Sequence, residues 1–307
     1  MKQVIYQTEL ADDGLRLDQF LKDKSNLTRS EVQRWIKEGR ALLEGGKMLR
    51  PNYHVKSGDR IVFSWDEKEE LSLMPQNIPL DILYEDEDMI VINKRRGMVV
   101  HPAYGNPDGT LVNALLHHCG DGLLSVCDDP IRPGIVHRLD KDTSGVMVAA
   151  KSKRAFLNLK EQIRGHTAQR RYVALVHGQM EGNTGVIRLP LGRSARDRMK
   201  WAVEPKTGKP AITHYRVIEF MPAFSWIECR LETGRTHQIR VHMAHIRHPV
   251  VNDPLYGWKK DYFPIEGQAL HSRTLDLTHP VTGEAMHFEA PIPDDLNRSL
   301  ALAREHK

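Results

Sequence analysis

The chain has 307 residues, with 44 Lys and Arg against 40 Asp and Glu for a formal charge of +4, and three cysteines. That length accommodates one small module and one large domain, each with its own core, and so modest a charge favours local basic patches over general electrostatic adhesion. No apolar run is long enough to span a bilayer, no secretory hydrophobic segment follows Met1, and Cys119, Cys127 and Cys229 lack zinc-type spacing, so a cytoplasmic protein without a bound metal is expected.

Residues 1–13 read as an N-terminal extension. Residues 15–21 then begin an amphipathic helix, and Thr28-Arg29-Ser30 caps a second one that runs over 31–38 until Gly39 stops it. Extended pieces at 41–43 and 60–63, with turns at Gly45-Gly46 and Ser57-Gly58-Asp59, complete a small α/β unit within 14–74. Residues 66–79 carry mixed charge and two prolines without an apolar period, which predicts an exposed tether. The remainder, 75–307, is one large domain. Residues 90–92, 171–177, 211–220 and 226–231 read as strands, and 109–117, 153–162 and 238–244 as helices. Together these predict an α+β domain with a mixed, largely antiparallel sheet and flanking helices.

The most informative stretch is 134–145, Gly-Ile-Val-His-Arg-Leu-Asp-Lys-Asp-Thr-Ser-Gly, which sets Asp140 between the cations Arg138 and Lys141. Ile135-Val136 and residues 146–150 are apolar runs of strand length on either side, so the charges are expected on the rim of a buried sheet. Such a loop is either an active site or a salt-bridged turn closed by Thr143-Ser144-Gly145. A second segment, 231–243, again sets Arg235, His237 and Arg240 around Gly234 before an apolar-periodic stretch, and two such clusters can converge on an anion. Three basic patches are candidate phosphate contacts: Lys94-Arg95-Arg96, residues 164–171, and Arg188, Arg193, Arg196, Arg198 and Lys200 followed by Trp201. A charge run taken singly is more often a solvated face, but the aromatic and Gly/Pro neighbours of the last segment give it the look of an RNA-facing loop.

The 134–145 segment closely resembles the motif of the RluA-type pseudouridine synthases, which convert uridine in RNA to its carbon-linked isomer, and 231–243 resembles their later Gly-Arg-x-His-Gln-Ile-Arg-x-His motif. The likeness extends in order through 80–88, 97–102, 171–175, 211–216 and 249–257, nearly the whole chain. It implies that Asp140 is the essential aspartate, Tyr172 the active-site tyrosine, Arg240 the basic residue paired with the aspartate, and Arg138 the arginine that enters the RNA when the target nucleotide turns out. His137 and His237 would be scaffolding or RNA contacts, and Arg235 an RNA contact. Residues 14–64 resemble the S4 RNA-binding domain, whose helix pair would present Arg16, Arg29, Arg34, Lys37 and Arg40 to structured RNA. Two departures stand out. Arg95 occupies a position where the family usually has proline, which removes a φ restraint, and Leu43-Glu44-Gly45 puts an acid in the turn where S4 domains have Val-Asn-Gly.

The implied reaction breaks an N-glycosidic bond and rejoins the ribose to carbon five of the same base, which needs no cofactor, redox change or metal. Asp140 would act covalently on the base or on the sugar, or through a glycal, and Tyr172 would stack on the uracil and take part in removing the proton at carbon five. A stacked uridine must first be extruded. Residues 105–110 and 231–249 look most like the RluD-like branch, which modifies the helix 69 loop of large-subunit ribosomal RNA. The expected partner is therefore that RNA or a precursor large subunit, with the protein a monomer. The alternatives are an RluC-like enzyme acting at other large-subunit sites or on transfer RNA, a noncatalytic ribosome-assembly factor, and a hydrolase that releases free uracil.

Overall fold

A computed structural model describes residues 1–66, 73–103, 105–195, 197, 199–258 and 263–306. The chain forms two compact units, Met1–Glu70 and Leu71–Lys307.

In the first unit, β1 (Lys2–Gln7), α1 (Leu17–Lys24), α2 (Arg29–Lys37), β2 (Ala41–Leu43) and β3 (Arg60–Trp65) follow in order. The sheet is antiparallel in the order β1-β3-β2. Residues 1–13 are therefore more than an extension, because β1 pairs along its whole length with β3. Helix α2 starts where the sequence places its cap. The Thr28 side chain accepts from the Glu31 backbone N–H, and Glu31 Oε2 accepts from the Thr28 N–H at 2.8 Å. Leu17, Phe20 and Leu21 on α1 and Val32, Trp35 and Ile36 on α2 meet Ile61 and Phe63 of β3 in one core. Each such buried side chain contributes roughly 1.5–3 kcal/mol.

The second unit contains β4 (Ile82–Glu85), β5 (Met89–Lys94), α3 (Leu111–Cys119), β6 (Ser144–Ala150), α4 (Lys153–Arg164), β7 (Gln169–His177), β8 (Thr184–Arg188), β9 (Leu191–Arg193) and β10 (Trp201–Val203). It continues with β11 (Ile212–Phe220), β12 (Phe224–Leu231), α5 (Gln238–His245), β13 (Leu270–Thr278), β14 (Ala285–Glu289) and α6 (Asp294–Glu305). Among the described residues the main sheet has nine strands in the order β4-β5-β6-β13-β7-β12-β11-β8, with β14 on β13. Only the β6–β13 pair is parallel, so the sheet is mixed and largely antiparallel, as the sequence predicts. Every residue of β6 is buried, in keeping with its Val-Met-Val-Ala-Ala run.

Two sequence expectations change. Ile135-Val136 forms no strand; Ile135 makes only an isolated bridge to Ala149. Within the predicted tether, 67–72 lie outside the described residues, and the following stretch is docked. The Gln76 N–H donates to Asn113 O at 3.0 Å, its side chain accepts from Gly109 N–H at 2.7 Å, and Leu73, Ile78 and Leu80 pack on the core. The Gln76 N–H and the Met74 carbonyl are satisfied by Asn113 of α3 rather than by water.

Candidate active site

Tyr172 of β7 pairs with Cys229 near the end of β12 on one side and with Ser272 of β13 on the other, and Ser272 in turn pairs with Gly145 at the start of β6. The loop before β6 carries Asp140, β7 carries Tyr172, and the turn after β12 leads into α5 with Arg240. Arg240 Nη1 donates to Asp140 Oδ2 at 2.8 Å, while its Nε and Nη2 donate to Asp253 at 2.7 and 2.9 Å. Burial disfavours the Arg240 charge, but Asp253 and Asp140 outweigh it and hold the guanidinium above its ordinary pKa. The arginine is thus fixed from behind by one carboxylate and presents its remaining arm to the other.

Asp140 Oδ1 faces a recess of about 50 Å³ whose walls include Tyr172, Leu231, His237, Ile239 and Leu270. His237 Nε2 lies 3.8 Å from that oxygen, and its Nδ1 is 2.9 Å from the Tyr256 hydroxyl. The Tyr256 oxygen accepts from the Trp201 N–H at 2.8 Å, and with its own hydrogen donated to Nδ1 the ring proton stands on Nε2, the tautomer that faces Asp140. Burial lowers the His237 pKa, so the ring is a neutral donor. His237 stands at the N-cap of α5 with φ 56°, a left-handed turn that redirects the chain from β12 into the helix. Burial likewise raises the Tyr172 phenol, which keeps the resting ring neutral and suits it to packing better than to acting as a base.

The loop that carries Asp140 is clamped by cations that the sequence offers as phosphate contacts. Lys94 is 1% exposed, and its Nζ donates to the carbonyls of Arg95, Met98 and Lys141 at 2.9, 2.9 and 3.0 Å. Burial pushes its pKa down to about 7 against the pull of Asp142 and Asp140. Arg96 donates to the carbonyls of Asp142 and Gln268 and pairs with Asp295 of α6 at 2.8 Å. Both are braces: Lys94 spends its ammonium on backbone oxygens, and Arg96 divides Nη1 and Nε between two carbonyls and the Asp295 carboxylate. Lys94 also ties the Arg95–Met98 turn, which supplies a restraint where the family's proline is missing. At the far end of the loop, a Cβ on Gly145 would sit 2.1 Å from the Ser272 carbonyl oxygen, and its φ of 112° suits glycine alone, so β6 and β13 approach closely only with this residue.

The other candidates divide. Arg138 and Arg235 are exposed at the mouth of the recess, Arg235 with its Nε on Pro210 O at 3.0 Å. His137 is placed as scaffolding in the wall of the larger cleft: it is buried, its Nε2 accepts from the Val148 N–H at 3.1 Å, and burial lowers its pKa to about 3. In the first unit Arg16 and Arg29 reach Asp18 at 3.0 and 3.1 Å, so both are engaged in a structural cluster. Arg34 and Arg40 lie over the Trp35 ring at 4.1 and 4.9 Å, Arg40 also pairing with Asp66 at 3.1 Å, and Lys37 is exposed. Glu44 pairs with Arg60 at 2.8 Å. Arg193 lies 4.8 Å over Trp201 on the β9–β10 hairpin, whereas Arg196 and Arg198 fall outside the described residues. Asp253 and Tyr256 carry no role in the sequence analysis. An aspartate in the 249–257 run, flanked by Val250-Val251 and Pro254-Leu255, was the available signal, since a buried acid needs a partner.

Among the described residues no group of His, Cys, Asp and Glu could hold a metal ion, and no helix is long and apolar enough to cross a membrane. Residues 88–245 match the family model for RNA pseudouridylate synthase, and 15–61 match that for the S4 domain. The chain is 46% identical over 307 residues to the uncharacterized RNA pseudouridine synthase YlyB of Bacillus subtilis, spanning 100% of both. It is 44% identical to ribosomal large subunit pseudouridine synthase D of Escherichia coli K12, over 96% of this chain and 93% of that one. Among solved structures, human RNA pseudouridylate synthase domain containing 1 superposes with a TM-score of 0.55 at 26% identity, covering 69% of this chain and 83% of its own. The sequence motifs, the mixed sheet, the S4 match and these full-length relatives agree, and the chain belongs to the RluA-type RNA pseudouridine synthases that carry an S4 domain.

Proposed function

We propose that the enzyme isomerises uridines of large-subunit ribosomal RNA in the helix 69 loop, with Asp140 acting on an extruded nucleotide. The observation that carries this reading is the state of Asp140: Oδ2 is held by Arg240, and Oδ1 opens on a recess walled by Tyr172, Leu231 and Ile239. A carboxylate with one oxygen anchored and the other free is positioned to attack. The neutral Tyr172 ring packs against the uracil, and the His237 Nε2–H stands ready beside Oδ1. Arg138, exposed at the mouth, occupies the space the nucleotide leaves and offsets part of the few kcal/mol that unstacking costs. The RNA target is supported by 44% identity along almost the full length of an enzyme named for the large ribosomal subunit. The first unit contributes Arg34, Lys37 and Arg40 as its RNA contacts, and Arg16 and Arg29 serve mainly its own structure.

The test is pseudouridine mapping of large-subunit RNA from cells lacking the protein, complemented with wild type or Asp140→Asn. Modification lost at the helix 69 loop and restored by wild type alone is the expected result. Loss confined to other uridines, or restoration by Asp140→Asn, would overturn the target or the catalytic assignment respectively.

A further inference from the structure

Behind the recess lies a second, larger cleft of about 370 Å³, and Arg138, Asp140, Tyr172, Leu231 and Arg235 line both. The two therefore adjoin, with Asp140 in the wall of both. The cleft wall includes Arg170, which β7 places two residues before Tyr172 and so on the same face of the strand. Arg171 between them turns to the opposite face, 3.9 Å from Asp276.

Arg170 is only 5% exposed, yet among the described residues its side chain has no hydrogen-bond or ion-pair partner, and its Nε is buried without an acceptor. A buried donor left without an acceptor is costly, and the guanidinium that carries it is better satisfied once an acceptor enters the cleft. Gly234 closes the other side: a Cβ there would stand 3.0 Å from Arg170 Nη1, so the bare backbone leaves the guanidinium its place. The rim adds Arg138, Arg164 and Arg235. Against four arginines the cleft offers one carboxylate, Asp140, which Arg240 already holds. The cleft therefore calls for an anion from outside.

Resting on the RNA-modifying reading above, we propose that this cleft receives a phosphodiester flanking the extruded nucleotide, with Arg170 as its principal ligand. The reacting sugar carries a phosphodiester on each side, so once its glycosidic bond is at Asp140, one of those anions must lie within a sugar's length of it. The cleft adjoining Asp140 provides the space and the unmatched positive charge. Arg170 is then a binding residue that registers the ribose on Asp140, while Arg138 is free to enter the helix.

The test uses the full chain and an RNA carrying whichever uridine the mapping identifies, so a wrong target shows in the map and a wrong phosphate assignment shows here. Neutral methylphosphonate replaces each of the two linkages flanking the target in turn, and wild type and Arg170→Gln are compared. One linkage is expected to raise the KM of wild type by roughly ten- to a hundredfold, Arg170→Gln to do the same on unmodified RNA, and the two together to cost no more than either. Additive losses, or an unchanged KM in Arg170→Gln, would overturn the assignment. Thermal melting separates binding from structure. The free Arg170→Gln protein is expected to melt at or above the wild-type temperature, since it loses an uncompensated charge, whereas a lower Tm with an unchanged KM would make Arg170 a structural residue.

Discussion

Each unit of this protein surrounds an aspartate with arginines, and the two sites do opposite things with it. In the first unit Asp18 is 0% exposed and accepts from Arg16, Arg29 and Gln33, so both oxygens are saturated. Burial opposes its charge, but those hydrogen bonds outweigh it and hold the carboxyl well below the usual carboxylate range. In the second, Asp140 is 17% exposed, takes one short bond from Arg240, and leaves Oδ1 on a cavity. A saturated carboxylate is a structural knot, and a half-satisfied one beside a cavity is a reagent. The arginines follow the same division: Arg16 and Arg29 are consumed by their aspartate, Arg240 is shared between two, and Arg170 has none.

Asp140→Asn gives the sharpest test of that contrast. Product formation is expected to fall by about 10⁴-fold or more with the melting temperature nearly unchanged, as measured by single-turnover pseudouridine assays and calorimetry. A large loss of stability with residual turnover would make Asp140 a second Asp18. Asp253→Asn removes the group that fixes Arg240 from behind, and a tenfold to hundredfold fall in kcat with a nearly constant KM is expected, on the order of the penalty for misplacing a reacting group by about 1 Å. An effect confined to KM would move Asp253 from positioning to RNA binding.

Asp18→Asn is expected to cost the first unit about 1–3 kcal/mol in denaturant unfolding and to leave the turnover of bound RNA unchanged. Weaker RNA binding with unaltered stability would show instead that Arg16 and Arg29 serve the RNA. At neutral pH the smallest effect concerns His137, whose pKa burial lowers to about 3 from an ordinary 6.5. The unfolded chain binds its proton first, so the stability it confers is complete above about pH 6.5 and erodes as pH falls toward 3. His137→Gln keeps an acceptor for the Val148 N–H and is expected to flatten the acid limb by at most about 1.4 kcal/mol per pH unit, read from urea midpoints between pH 4 and 7.

Much of the local structure is legible in the chain. Thr28 with Glu31 marks the start of α2, and the apolar runs give β5, β6, β7, β11 and β12. Strand β1 is missed because residues 2–7 alternate weakly and their partner β3 lies more than fifty positions away. For the site, motif resemblance selects Asp140, Tyr172 and Arg240, and the structure sets all three on one recess. It does not select Asp253, Tyr256 or Arg170, whose place depends on how β7, α5 and the 249–257 run pack together.

The sequence by itself determined the α+β class, the helix caps, the glycine turns and the family, because each is written in short-range chemistry or in contiguous motifs. Tertiary structure alone decided what each charge does. Lys94, Arg96, Arg138 and Arg170 are all cations beside motif residues, yet the first is spent on backbone carbonyls, the second is tied to two carbonyls and to Asp295, the third stands in solvent and the fourth is buried without a partner. The physical reason is that a charge's role is set by its desolvation and by the number of its donors already satisfied, and both depend on neighbours that are distant in the chain.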